Sequence, residues 1–181
     1  PIMSYIADLP PILQDLGLGY LAASARNEGH TVAIRGWNMS SSPEDYVSYL
    51  KKERPQVVAM KVFTKDVGAA VKTIETIKSV DPSITVIAGG PHPSAAPTDE
   101  IFEDLNGVDF VFRGEAEAGL PMLLRHLENL KGECNDSLKD IPGLVWKNNG
   151  SVIANNVQFV DVNHFDLPTW DLLKPSEYPA L

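Results

Sequence analysis

The residues best suited to chemistry in this chain gather in a few short stretches. Gly89-Gly90-Pro91-His92-Pro93-Ser94 directly follows an apolar run. Two glycines at the end of a buried strand leave bare backbone that a ligand can approach, or else shape a tight turn before Pro91. Arg113-Gly114-Glu115-Ala116-Glu117 follows a second apolar run and gathers one cation, one glycine and two carboxylates at a turn. Lys61, Thr64 and Lys65 supply ammonium and hydroxyl donors at the end of a third. Gly17-Leu18-Gly19-Tyr20-Leu21-Ala22 has the G-x-G-x-x-A spacing of a dinucleotide fingerprint. It stands well downstream of the preceding strand, and Arg35-Gly36-Trp37-Asn38 occupies the place of the acidic ribose ligand. Glycines for close helix packing are therefore the favoured reading.

Other chemistries find no support. His30 reads as a helix-terminus residue, His126 and His164 as surface positions, and only His92 stands at a strand end. No two histidines have metal-ligand spacing, and there is neither a Gly-x-Ser-x-Gly elbow nor a P-loop. Response-regulator chemistry wants an Asp after strand three and a Lys after strand five, where this chain has Thr64 and Arg113. The single cysteine, Cys134, excludes an internal disulfide, a multi-thiolate zinc site and a cysteine-held iron–sulfur cluster within the chain. It fits a reduced, cytoplasmic setting.

Length and pattern define the elements that must position these residues. The 181 residues suit one domain with an appendage; 44% are apolar and 22% charged. The net charge of −9 argues against broad binding to nucleic acid or acidic membranes. No apolar run reaches a membrane span. The chain begins at Pro1 without a signal peptide and reads as an excised fragment. Apolar runs predict strands at Ile2–Ile6, Thr31–Arg35, Val57–Phe63, Ile84–Ala88 and Val108–Phe112. Helices are predicted at Leu18–Asn27, from Pro43 to Arg54, and at Lys65–Val80, Thr98–Leu105 and Gly119–Leu130. This alternation predicts an α/β, doubly wound, five-stranded parallel sheet with right-handed crossovers and flavodoxin-type order 2-1-3-4-5. Asn148-Asn149-Gly150 between Gly143–Lys147 and Ser151–Asn155 predicts a β-hairpin. The proline-rich remainder, with Phe165 and Trp170, reads as a linker or docking arm. The expected division is an α/β domain over 1–132 and a hairpin with linker over 133–181.

Taken in order, these stretches carry a resemblance. Leu16-Gly17-Leu18-Gly19-Tyr20-Leu21-Ala22-Ala23 with Gly29-His30, Ala88-Gly89-Gly90-Pro91-His92-Pro93-Ser94, and Val108 to Glu117 form its first part. Ile141-Pro142-Gly143-Leu144, the hairpin, and Leu167-Pro168-Thr169-Trp170-Asp171-Leu172-Leu173 form its second. Together they resemble the N-terminal cobalamin (vitamin B12)-binding domain of cobalamin-dependent radical S-adenosylmethionine enzymes. That group includes methyltransferases and the anaerobic Mg-protoporphyrin IX monomethyl ester cyclases. The resemblance implies a corrin lying across the carboxyl ends of the strands, with its nucleotide tail running into the sheet edge. It assigns Lys61, Thr64 and Lys65 to the tail pocket. Gly89, Gly90, Pro91 and His92 would meet the tail or corrin edge, and Gly114 and Glu115 would border the corrin. Lys61 departs from the small hydroxyl residue of related domains, and would meet a tail phosphate or pair with a carboxylate.

The cobalt-ligating motif Asp-x-His-x-x-Gly of methionine-synthase-like domains is missing. With Gly17 as its glycine, the Asp and His positions hold Ile12 and Gln14. Gln14, Leu16 and Gly17 are carried over as cofactor-binding, with no protein metal ligand. The implied role is a cofactor module without catalytic residues of its own. A downstream radical S-adenosylmethionine domain of the same polypeptide would bring S-adenosylmethionine and a 4Fe-4S cluster for methyl transfer or ring formation. The competing reading is a stand-alone flavodoxin-like nucleotide-binding domain or an NADP-dependent oxidoreductase using Arg35.

Overall fold

The computed structural model describes residues 2–7, 15–36, 43–129, 138–159, 161 and 166–173. Gln14, Cys134, His164 and Phe165 lie outside them. Five strands are parallel: β1 (Ile2–Ala7), β2 (Thr31–Gly36), β3 (Val57–Lys61), β4 (Thr85–Gly89) and β5 (Phe110–Phe112). Their order is β2-β1-β3-β4-β5, as the alternation predicts. The hairpin strands β6 (Leu144–Asn148) and β7 (Ser151–Ala154) do more than follow the domain. They add antiparallel to β5 and extend the sheet to seven strands. Asn149 and Gly150 take positive φ, +49° and +84°, which a two-residue hairpin turn between twisted strands requires.

Helices cover both faces. Residues α1 (Leu16–Asn27) and α6 (Gly119–Asn129) bury Ala22, Ala25, Leu120, Leu123 and Leu124 against Val57, Ile87 and Phe112. On the other face, α2 (Pro43–Glu53) and α3 (Val67–Val80) bury Tyr46, Leu50, Ile74 and Ile77 against Val58, Val86, Ala88 and Val111. Neighbours along a strand, such as Val86, Ile87 and Ala88, thus enter alternate cores. That explains why the strands read as continuous apolar runs.

The loop after β4 departs from expectation. Pro91–Ala95 is a short helix, α4, beginning straight after Gly90. Proline tolerates the first helical turn, where N–H groups need no intrahelical partner. A second short helix, α5 (Ile101–Asp104), replaces the longer one expected over Thr98–Leu105. Between β3 and α3, Thr64–Asp66 forms a single 3-10 turn.

Residues 166–173, ending in α7 (Trp170–Leu173), lie back on α1. The Thr169 N–H donates to the Gly19 carbonyl at 3.1 Å, and Arg26 grips the Asp171 carboxylate with two hydrogen bonds of 3.0 and 2.8 Å. A Cβ on Gly19 would sit 2.7 Å from Leu173 Cδ1 and from Pro168 Cβ. The second glycine of G-x-G-x-x-A therefore serves close packing. Trp170 stays 45% exposed, unlike the fully buried Val58.

Candidate cofactor site

The strand order reverses between β1 and β3, and ligands of open parallel sheets bind outside the carboxyl ends near such a reversal. A cavity of about 190 Å³ opens there. Its walls are the end of β3 (Ala59 to Lys61), the end of β4 (Ile87 to Gly90), the turn after β5 and the first turns of α1. Leu18, Ile87, Phe112 and Leu120 give it an apolar floor; its charged residues are Asp15, Lys61, Glu115 and Glu117.

Six of the residues expected from sequence line this space: Gly17, Lys61, Gly89, Gly90, Gly114 and Glu115. Leu16, Thr64, Lys65, Pro91 and His92 do not. Leu16 is exposed at the start of α1, and Lys65 pairs with its neighbour Asp66 at 3.1 Å. His92 is buried within α4, where its backbone N–H donates to the Val62 carbonyl at 3.0 Å. Its Nε2 lies 3.3 Å from the Asp104 carboxylate without hydrogen-bond geometry.

Lys61 takes the carboxylate alternative. Its ammonium donates to Asp15 Oδ2 at 2.8 Å on the cavity wall. Asp15 is buried, and its other oxygen accepts the Leu18 N–H at 3.3 Å, capping α1. One carboxylate thereby fixes both the lysine and the helix start. Sequence reading missed Asp15, although an Asp immediately before a helix is a recognised start signal.

The glycine pair divides its work. Gly90 has φ +99°, and a Cβ there would lie 2.8 Å from Lys61 Cγ and 3.2 Å from the Val62 nitrogen. It therefore shapes the turn against the end of β3. Gly89 has ordinary φ, and its added Cβ would meet only Phe112 atoms at 3.8 and 3.9 Å. Ser94 ties the two glycine loops together. Its hydroxyl donates to the Gly90 carbonyl at 2.9 Å and accepts the Gly114 N–H at 3.0 Å. Arg113 donates to the Ser94 carbonyl at 3.2 Å and to the Thr98 hydroxyl. Ser94 stands in the glycine-pair motif, but its bracing role depends on a contact 20 residues away that the motif does not carry.

Glu117 belongs to the Arg113–Glu117 turn but is not among the residues assigned to the cofactor from sequence, and it lines the cavity as well. Its Oε2 is buried without a hydrogen-bond partner. Burial pushes its carboxyl above the ordinary range, and the Glu115 charge adds to this. Unfolded, the same group ionises near the usual glutamate value, so the folded state holds the proton to higher pH. Stability from this group is present below the unfolded value and lost as pH rises through the folded one. The melting temperature of ligand-free wild type should accordingly decline over that window relative to Glu117→Gln. Parallel pH profiles would refute this assignment.

The B12 binding domain family model matches residues 4–124. This chain belongs to the B12-binding domain family. It is 30% identical to the uncharacterized methyltransferase PH0819 of Pyrococcus horikoshii, over 91% of this chain and 35% of that protein. It is 29% identical to the hopanoid C-3 methylase of Methylococcus capsulatus, over 90% of this chain and 30% of the methylase. The chain thus spans about a third of the length of these relatives. Among solved structures, the cobalamin-dependent S-adenosylmethionine radical enzyme OxsB, with aqua-cobalamin and S-adenosylmethionine bound, superposes with a TM-score of 0.78. That match has 20% identity and covers 96% of this chain and 24% of OxsB, so it supports the fold. The family match also sets aside the NADP reading. Arg35 instead stacks on the Tyr49 ring, 4.3 Å from its centroid. Among the described residues no helix is long and apolar enough to cross a membrane.

Proposed function

We propose that this B12-binding domain is the cofactor module of a larger cytoplasmic radical S-adenosylmethionine enzyme, most consistent with a methyltransferase. The observation that carries this reading is a family match over 4–124 coinciding with a cavity at the strand ends. The two curated relatives are named as a methyltransferase and a methylase, and OxsB as a radical enzyme. A downstream domain would supply the 4Fe-4S cluster and hold S-adenosylmethionine, while this chain positions the corrinoid.

The residues fit that group. The cavity is smaller than the ~300–1,000 Å³ of a whole ligand site, so it suits one arm of a large cofactor with the ring outside. Its lining includes the apolar Leu18, Ile87, Phe112 and Leu120, and Gly89 offers bare backbone. Cobalamin when bound supplies a cobalt-carried methyl group; this chain binds it, orients it and shields its tail from water. In this assignment Lys61, Gly17, Gly89, Gly90, Gly114 and Glu115 form the wall, and Thr64, Lys65 and Pro91 an outer rim, while the buried His92 stays off the cofactor.

Incubation with hydroxocobalamin should leave its visible absorbance on the protein after gel filtration; a colourless protein would refute the reading. No histidine lines the cavity among the described residues. The paramagnetic resonance spectrum of bound cob(II)alamin should therefore lack hyperfine splitting from a protein nitrogen. Splitting that vanishes in His92→Ala would show that His92 coordinates cobalt.

A further inference from the structure

His92 stands in the glycine-pair motif but does not line the cavity. Its Nε2 is buried without a hydrogen-bond partner, a rare condition for a polar atom in a folded protein. A carboxylate oxygen of Asp104 in α5 lies 3.3 Å away. The helix that carries His92 cannot hold itself in place. It has five residues and no side-chain cap, and helices this short are unstable alone. Its position therefore rests on tethers, of which the His92 backbone N–H to the Val62 carbonyl is one. By contrast α5 is seated in the core by the buried Ile101 and Phe102. An imidazole reaching from α4 to a carboxylate on α5 joins a loosely held helix to a fixed one. What α4 carries matters for the site. The Ser94 hydroxyl bridges the Gly90 carbonyl and the Gly114 N–H, and both glycines line the cavity.

Resting on the cobalamin reading above, we propose that His92 is a positioning residue for the cofactor site. Its Nε2–H, donated to Asp104, holds α4 so that Ser94 keeps Gly90 and Gly114 at the separation the cofactor needs. The Asp104 side chain is 40% exposed and has room to turn and complete that bond. His92 touches no cofactor atom; it acts through α4 and Ser94. Sites gain affinity when supporting residues hold the contacting groups in place before the ligand arrives. The same arrangement accounts for a histidine placed two residues after the glycine pair yet turned into the protein: the motif supplies both the bare backbone and the anchor that fixes it.

The test reads cobalamin affinity by absorbance titration in wild type, His92→Leu, His92→Gln, Asp104→Ala and Ser94→Ala, with ligand-free melting to confirm folding. Leucine fills the buried space without a donor, whereas the glutamine amide nitrogen reaches the place of Nε2 and still donates. Losing a hydrogen bond to a carboxylate commonly costs about tenfold, so His92→Leu, Asp104→Ala and Ser94→Ala should each bind about tenfold more weakly. His92→Gln should stay within about threefold of wild type, a rescue that a purely space-filling role would not give. Adding His92→Leu to Ser94→Ala should weaken binding by less than about twofold more, because the histidine acts through the serine. Asp104 is at the surface, so Asp104→Ala reports even where His92→Leu fails to fold. Unchanged affinity in Asp104→Ala, or a glutamine as weak as the leucine, would overturn the proposal with the cobalamin reading intact. So would losses that simply add in the double variant. A wild type that binds no cobalamin removes the cobalamin reading, and this proposal with it.

Discussion

Gly90→Val is expected to lower the stability of the ligand-free protein by about 2–6 kcal/mol, whatever it does to cofactor affinity. Two costs combine. At φ +99° and ψ −164° the backbone occupies a region used almost solely by glycine, where other residues pay ~1–3 kcal/mol. The added Cβ would also press on Lys61 Cγ at 2.8 Å and on the Val62 backbone at 3.2 and 3.3 Å. Overpacking of this kind typically costs a further ~1–3 kcal/mol. Gly90→Ala should show most of the loss, because both costs begin at Cβ. Gly89→Ala is the contrast, since its Cβ meets nothing closer than 3.8 Å and its φ is unexceptional. That variant should fold normally and report on ligand approach alone. Denaturant unfolding of the three empty variants decides this. A Gly90→Val protein as stable as wild type, yet unable to bind cobalamin, would return Gly90 to a ligand-facing role.

The glycine pair shows what sequence could and could not convey. Types and spacing marked the loop after β4 as bare backbone for a ligand or as a tight turn, and the alternation of periods yielded the order of the five parallel strands. Neither distinguishes a glycine bare for a ligand from one bare for the next strand, because that depends on where the missing Cβ points. Pro91-His92-Pro93 reads as loop in the sequence, yet prolines are tolerated at a helix start, and His92 lies buried in α4 without lining the cavity. The hairpin was legible from Asn149-Gly150, but its union with β5 rests on long-range pairs such as Val111 with Val145. No local pattern encodes such a pair. Asp15 escaped, and Glu117 was left out of the cofactor set, for a related reason. A carboxylate in a sequence looks solvated until the fold buries it.

Asp15 carries the second large effect. Asp15→Ala should destabilise the protein by about 2–4 kcal/mol. The helix cap accounts for ~1 kcal/mol of this. The remainder comes from leaving the Lys61 ammonium, whose side chain is only 29% exposed, without its carboxylate. Asp15→Ser separates the two contributions, because serine still caps α1 but cannot pair with Lys61. It should recover about 1 kcal/mol relative to alanine. Adding Lys61→Met to Asp15→Ser removes the stranded charge and should bring stability to within about 1 kcal/mol of wild type, since replacing both partners of a buried pair is often near neutral. An Asp15→Ser protein as stable as wild type would mean that the pair contributes nothing. The same series bears on the cofactor. A lysine already neutralised by a buried carboxylate offers little net charge to a tail phosphate, so cobalamin affinity should change little between 50 and 500 mM salt. In Asp15→Ser the freed ammonium should make binding tighter at low salt and visibly salt-dependent. Strong salt dependence in wild type would instead show that Lys61 leaves Asp15 for the phosphate when the cofactor binds.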